Sequence, residues 1–290
     1  MSFRSLEEIL KQCEEQQKPF WRIILEDDIE ERMTSETESY AKMQQLYLAM
    51  KNADVAYDSK LKSASGLVGG DGAKMNRALQ EGRVLSGSFI GEVIAKALKM
   101  GESNACMKKI VAAPTAGSCG VIPAVLLSYE ENYPTTLQKM IEALYVASGI
   151  GEVIAARAFL AGAAGGCQAE VGSASAMAAG ALAYLNGGDN RSIAHAAAMS
   201  LKNLLGLVCD TVGGLVEVPC VKRNVVGAVN AIASADMAVA GICSQIPPDE
   251  VIDAMREIGE ALPRSLRETG EGGLAATPTG QEIMDRLMKA

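Results

Sequence analysis

Between Ala155 and Gly206 the chain runs through successive alanine-rich segments, broken only at Gly165-Gly166 and at Asn186-Gly187-Gly188-Asp189. Such a stretch restricts the fold severely. Alanine is the strongest helix former, and side chains this small let neighbouring helices approach closely. A long uncharged run, Val171 to Gly188, lies inside it. Ala, Gly, Ser and Met dominate that run, which makes it weak as a membrane span. It reads instead as a helix buried in protein. The rest of the chain agrees, with 49% hydrophobic residues but only 4% aromatic. Alternating β-branched patterns are scarce. The expectation is an all-α, mainly helical chain, a single large domain of closely packed Ala/Gly-rich helices. Residues 1–60 are read as N-terminal helices continuous with a main domain over 61–290.

Local signals place further helices. Ser5-Leu6-Glu7-Glu8 fits a capping box, followed by Leu6, Ile9, Leu10 and Cys13 on one helical face to about Gln17. Pro19-Phe20-Trp21 breaks that helix. Ser35-Glu36-Thr37-Glu38 opens a long helix with a stripe of Tyr40, Met43, Tyr47 and Met50, read as core. Further helices are expected from Ser86 to Gly101, from Val121 to Glu131, after Pro134-Thr135-Thr136, from Val225 to Cys243, from Pro247 to Leu262, and from Gln281 to Lys289. No internal repeat is visible.

Charge narrows the function. The chain carries 27 basic and 35 acidic residues, a formal net charge of −8, with no dense Lys/Arg run. Nucleic acid is therefore not an expected partner, and neither is a membrane. Seven cysteines and an acidic N-terminus with no apolar signal core point to a reducing cytoplasm rather than a disulfide framework.

Chemistry-bearing residues gather in a few glycine-rich stretches. Cys209 and Cys220 bracket Gly213-Gly214, and Lys222-Arg223-Asn224 follows at once. Cys167 follows Gly165-Gly166. Glycines let backbone approach a bulky group, and thiolates are soft metal ligands. The spacing matches no short metal motif, and buried free cysteine is an equally available reading. Pro114-Thr115-Ala116-Gly117-Ser118-Cys119-Gly120 precedes a helix. Its free N–H groups could take a carboxylate or phosphate, or the stretch could be a plain tight turn. Ser65 and Lys74 flank the Gly66–Gly72 loop, which lacks a Walker ending. Gly149-Ile150-Gly151 starts like a dinucleotide fingerprint but has Ile154 at the third glycine position, whereas Gly270 to Ala275 matches the Gly-x-Gly-x-x-Ala form. Neither follows an apolar strand, so both are rejected. The single histidine, His195, excludes a two-His zinc helix and is read as structural.

Several of these stretches together resemble a known family. Ile110 to Gly120 (IVAAPTAGSCG), Cys167 to Ser173 (CQAEVGS), and Leu204 to Cys220 (LLGLVCDTVGGLVEVPC) with Lys222-Arg223-Asn224 resemble the alpha chain of bacterial iron–sulfur-dependent L-serine dehydratase. Ser65 to Asp71, Arg267-Glu268-Thr269 and Gly272 to Ala275 are similar as well. The resemblance implies a catalytic helical domain with a 4Fe–4S cluster on three cysteines, which map onto Cys167, Cys209 and Cys220. Cys13, Cys106, Cys119 and Cys243 are then non-ligands. Single-chain members carry an added N-terminal domain and a terminal cysteine. Neither has a counterpart here, which implies a separate beta chain, a hetero-oligomer, and a fourth iron free of protein thiolate.

The implied reaction removes water from L-serine to give pyruvate and ammonia, with the open iron as Lewis acid. The expected substrate-binding residues are Thr115, Ala116, Gly117 and Ser118 for the carboxylate, with Lys222 and Arg223 adding charge. Lys74, Ser65 and Ser118 are the candidate bases, and Asp210 and Glu217 candidate supports. Three rivals stand beside this reading. They are the same chemistry on another small amino acid such as cysteine, a non-catalytic helical subunit, and a pyridoxal-phosphate dehydratase using Lys74.

Overall fold

The computed structural model describes residues 3–289. Ser5 caps α1 (Leu6–Gln16), accepting the Glu8 N–H at 3.0 Å. The second half of the expected box does not close, because the Glu8 carboxylate takes the Arg4 N–H instead. Pro19 caps α2 (Phe20–Arg32), so the break there is brief. The box at Ser35 and Glu38 is complete and opens α3 (Glu36–Val55). Then come α4 (Asp71–Gln80), α5 (Gly87–Ala105), α6 (Val121–Asn132), α7 (Leu137–Arg157) and the short α8 (Gly162–Gly165). A π-helical turn, Gln168–Gly172, runs directly into α9 (Ser173–Leu185). The chain ends with α10 (Asn190–Lys202), α11 (Cys220–Val239), α12 (Pro248–Ala261) and α13 (Pro278–Met288). No strand occurs among the described residues. One isolated parallel bridge pairs Cys209 with Arg267. None of the helices is long and apolar enough to cross a membrane.

The all-α expectation holds, and the alanine-rich run is its centre. Ser173 to Ala183 are buried without exception. A helix apolar all round must be enclosed, and α6, α7, α10 and α11 enclose it. One core cluster extends from Leu6 to Met255. The N-terminal helices join it through Phe20, Ile23, Ile24 and Leu25 of α2, which packs on α7.

Three boundaries differ from the sequence reading. Gly101 does not end α5 but lies buried inside it, where a Cβ would stand 3.1 Å from Val221 Cγ1. Its role is close approach to α11, not termination. α11 begins at Cys220 rather than Val225, so the cysteine and the Lys222-Arg223-Asn224 trio occupy its first turns. α13 begins at Pro278 because Thr277 caps it, accepting the Gly280 N–H at 3.2 Å. Gly149 and Gly151 lie inside α7, and Gly270 to Ala275 form turns and a 3-10 segment. Neither stretch has the strand that a dinucleotide site needs.

Two glycines distinguish hard from soft packing. A Cβ on Gly120 would lie 2.7 Å from the Ala97 carbonyl oxygen and 3.0 Å from Asn224 Oδ1. A Cβ on Gly180 would meet Ile150 Cδ1, the movable end of a side chain. Gly120→Ala is expected to cost about 1–3 kcal/mol, as overpacking does. Gly180→Ala should be offset by the gain of about 1 kcal/mol in helix propensity. Urea denaturation of both variants checks the order, and equal losses would refute it.

Candidate metal centre

Three thiols are delivered by three unrelated pieces of chain. Cys167 immediately precedes the π-turn, after Gly166 turns the backbone at φ +78. A Cβ on Gly166 would lie 2.6 Å from Leu262 Cδ1 and 2.9 Å from the Leu207 carbonyl, so only glycine lets the chain pass. Cys209 is fixed on both sides by backbone. Its N–H donates to the Leu266 carbonyl at 2.8 Å and its carbonyl accepts from the Glu268 N–H at 2.7 Å. Cys220 occupies the first position of α11. Their exposures are 2%, 1% and 4%.

Gln168 locks the first of these segments. Its Nε2 donates to the carbonyls of Gly165 (2.9 Å) and Met255 (3.1 Å), and its Oε1 accepts the Gly206 N–H at 2.9 Å. The side chain is fully buried, and its donors and its carbonyl are all engaged.

Burial dominates the electrostatics. It pushes the Cys167 thiol up to about 11 and that of Cys220 to about 12. Cys209 is raised by burial first and then by the fields of Cys167 and Cys220. The three thiols therefore share one field. Arg223 opposes it, interacting with Cys167 while donating to the Val208 carbonyl (2.7 Å) and to Asp210 Oδ1 (2.8 Å). Asp210 in turn accepts the Leu274 N–H at 2.9 Å, which ties this centre to the C-terminal turns.

The donor set can be tested against a metal group. Among the described residues no three His, Cys, Asp or Glu side chains close on a single ion. A zinc ion would need every sulfur within about 2.3 Å. An iron–sulfur cluster instead takes one thiolate at each occupied corner. Gly162 packs directly against Cys209, where a Cβ would lie 3.0 Å from Sγ. Cys167, Cys209 and Cys220 bring three buried thiols, the donor type that an iron–sulfur cluster takes.

The loop before α6 joins this centre through Asn224. Asn224 Oδ1 accepts the Gly120 N–H at 2.8 Å, while Nδ2 donates to the carbonyls of Gly117 (2.8 Å) and Cys220 (3.0 Å). Thr115 Oγ1 and Ser118 Oγ lie 3.1 Å apart, and Ser118 is fully buried. Glu170, on the π-turn, closes the gap between this loop and the thiols. A Cβ on Gly117 would lie 2.9 Å from its Oε2, and one on Gly162 would lie 3.0 Å from the same oxygen.

The other sequence candidates divide. Arg223 points inward. Lys222 is exposed and pairs with Asp71 at 3.3 Å. Lys74 is 76% exposed and pairs with the same Asp71 at 2.8 Å. Both lysines are committed to Asp71. Ser65 donates to Glu217, as does Ser63 at 2.8 Å, so their loop is tied to the segment between Cys209 and Cys220. Gln168 and Glu170 escaped the reading of single residues. A signal was present, since Glu170 is the one charged residue between Arg157 and Asp189.

A family model described as the serine dehydratase alpha chain matches residues 15–275. The chain belongs to that family. The serine dehydratase alpha chain family includes relatives of nearly the same length. The probable L-serine dehydratase alpha chain of Bacillus subtilis (strain 168) is 46% identical over 285 residues, 98% of this chain and 95% of the relative. The L-serine dehydratase alpha chain of Peptoniphilus asaccharolyticus is 40% identical over 97% of both chains. The probable alpha chain of Latilactobacillus sakei is 57% identical over 65% of this chain and 90% of its own length.

Asn224 gives the centre a direct stability test. Asn224→Ala orphans a buried N–H and two carbonyls. It is expected to cost about 1–3 kcal/mol in urea denaturation, and a loss below about 0.5 kcal/mol would mean that the loop stands without it.

Proposed function

We propose that this chain is the alpha subunit of an L-serine dehydratase, which eliminates water from L-serine to leave pyruvate and ammonia. The observation that carries the reading is the alignment of nearly the whole chain with named alpha chains, and Cys167, Cys209 and Cys220 are all buried within it. Cys167, Cys209 and Cys220 would hold a 4Fe–4S cluster. When bound, the cluster supplies a Lewis-acidic iron for the hydroxyl leaving group.

The chain's own residues have separate tasks. Arg223 neutralises thiolate charge, since it interacts with Cys167 and is itself held by Asp210. Without such a cation, three adjacent buried thiolates would be strongly disfavoured. The Thr115–Ser118 loop, held by Asn224, offers backbone N–H groups to the substrate carboxylate. Ser65 and Ser118 remain the base candidates near the centre. Ser65 has a carboxylate, Glu217, to receive its proton. Lys74 is engaged by Asp71 at the surface, so a cofactor aldehyde on that lysine has little support.

The name alpha chain, carried by its relatives, supports a separate beta chain and a hetero-oligomer. A reducing cytoplasm is the compartment that suits seven unpaired cysteines.

Anaerobic co-purification with the beta chain should give a brown protein with about four irons per alpha chain. It should release pyruvate from L-serine. Cys167→Ala, Cys209→Ala and Cys220→Ala should each lose iron and activity together, whereas Cys243→Ala should lose neither. A colourless wild-type protein that iron and sulfide cannot reconstitute would sink the reading.

A further inference from the structure

Glu170 has no assigned task, yet its position is unusually constrained. The π-helical turn that carries it begins directly after Cys167. π-turns are rare and gather at functional sites because the extra residue redirects side chains. Here the turn brings a carboxylate between the Thr115–Ser118 loop and the thiols. The same oxygen, Oε2, faces Gly117 on one side and Gly162 on the other, and Gly162 also adjoins Cys209. Both positions are glycine, so no Cβ closes the approach to that oxygen.

Among the described residues no ion pair forms with this carboxylate. Burial raises its proton affinity first, and the Thr115 hydroxyl, the negative charge of Glu268 and the Gly162 N–H act after it. Arg223, the guanidinium of the centre, is committed to the Val208 carbonyl, Asp210 and Cys167. Glu170 is partly buried, and a carboxylate partly removed from water beside other negative groups gains from a positive partner.

Amino-acid chemistry supplies one. The ammonium and carboxylate of an α-amino acid sit on the same carbon. A loop that binds the carboxylate must therefore have an ammonium acceptor close beside it. Glu170 stands at that place, with Oε2 against Gly117 of the loop itself. We propose that Glu170 is the substrate-binding residue that receives the α-ammonium group and so selects amino acids over their deaminated analogues. This rests on the reading of the centre as an L-serine site. Glu170 also orients the substrate, because carboxylate and ammonium together leave one face of the α-carbon for proton removal.

The test compares wild type, Glu170→Gln and Glu170→Asp as anaerobic holoenzymes with the beta chain. Iron content is measured first, then steady-state kinetics. Calorimetry follows with two non-reacting probes, L-alanine, which keeps the ammonium, and 3-hydroxypropionate, which lacks it. Glu170→Gln is expected to retain iron and to keep kcat within a few-fold. It should raise KM for L-serine about 10- to 100-fold, the range for loss of a charge-assisted hydrogen bond. L-Alanine should weaken by a similar factor while 3-hydroxypropionate binds unchanged or tighter. Glu170→Asp should recover part of the loss.

Loss of iron in Glu170→Gln would overturn the assignment and make Glu170 part of the metal site. A fall in kcat at constant KM would overturn it in favour of proton transfer. Equal weakening of both probes would reduce Glu170 to a support of the loop. Wild-type holoenzyme that ignores L-serine, yet binds L-alanine in a Glu170-dependent way, would sink the activity and leave ammonium recognition standing.

Discussion

The complete enclosure of α9 is the constraint on which the other elements depend. A helix with no solvent face cannot shift without displacing α6, α7, α10 and α11 at once. Interiors packed in this way respond to small volume changes because few voids exist to absorb them. The π-turn with Cys167 and Glu170 is continuous with the N-terminal end of α9. The loop with Thr115 leads into α6, and Cys220 opens α11. Three of the segments that build the centre are therefore appended to helices fixed by the same packing. The fold supplies stiffness, and the centre gathers where stiff elements end.

Electrostatics then divides the residues around the thiols into two groups. Cys167, Cys209, Cys220, Glu170 and Glu268 contribute negative or potentially negative charge, and Arg223 is the cation interacting with Cys167 and Cys220. In water such an imbalance would matter little. In a buried site it is magnified, since charges out of water interact through a low effective dielectric. Burial raises the proton affinity of all three thiols. The arrangement favours occupants that carry positive charge, and both a cluster of iron ions and an ammonium group meet that requirement.

How much of this was legible in the sequence depends on the residue. The all-helical class followed from Ala155 to Gly206 alone, because small uncharged side chains leave few other packings open. The three cysteines stood out only as a group and through the family resemblance, as their spacing matches no compact motif. Gly101 misled because a glycine near a helix end reads as a stop, whereas its purpose is contact with Val221 across α5 and α11. The early start of α11 was obscured by Pro219 and Cys220, which resemble loop chemistry. Lys74 drew attention by standing in a glycine-rich loop, yet Asp71 three residues away engages it at the surface. Asn224 and Gln168 were invisible as pivots, since an amide's value lies in which distant backbone groups it meets, and sequence does not record that.

The bonds from Ser63 and Ser65 to Glu217 have a consequence for protein turnover. Glu217 belongs to the segment between Cys209 and Cys220, so whatever frees that segment also frees the loop around Gly66. Oxidative damage to the thiols would then not stay local. It would surface as a loosened glycine-rich strand of chain, the kind of substrate that proteases cut first. Through the single carboxylate of Glu217, the packing of the Cys209–Cys220 segment and the accessibility of the loop around Gly66 would change together.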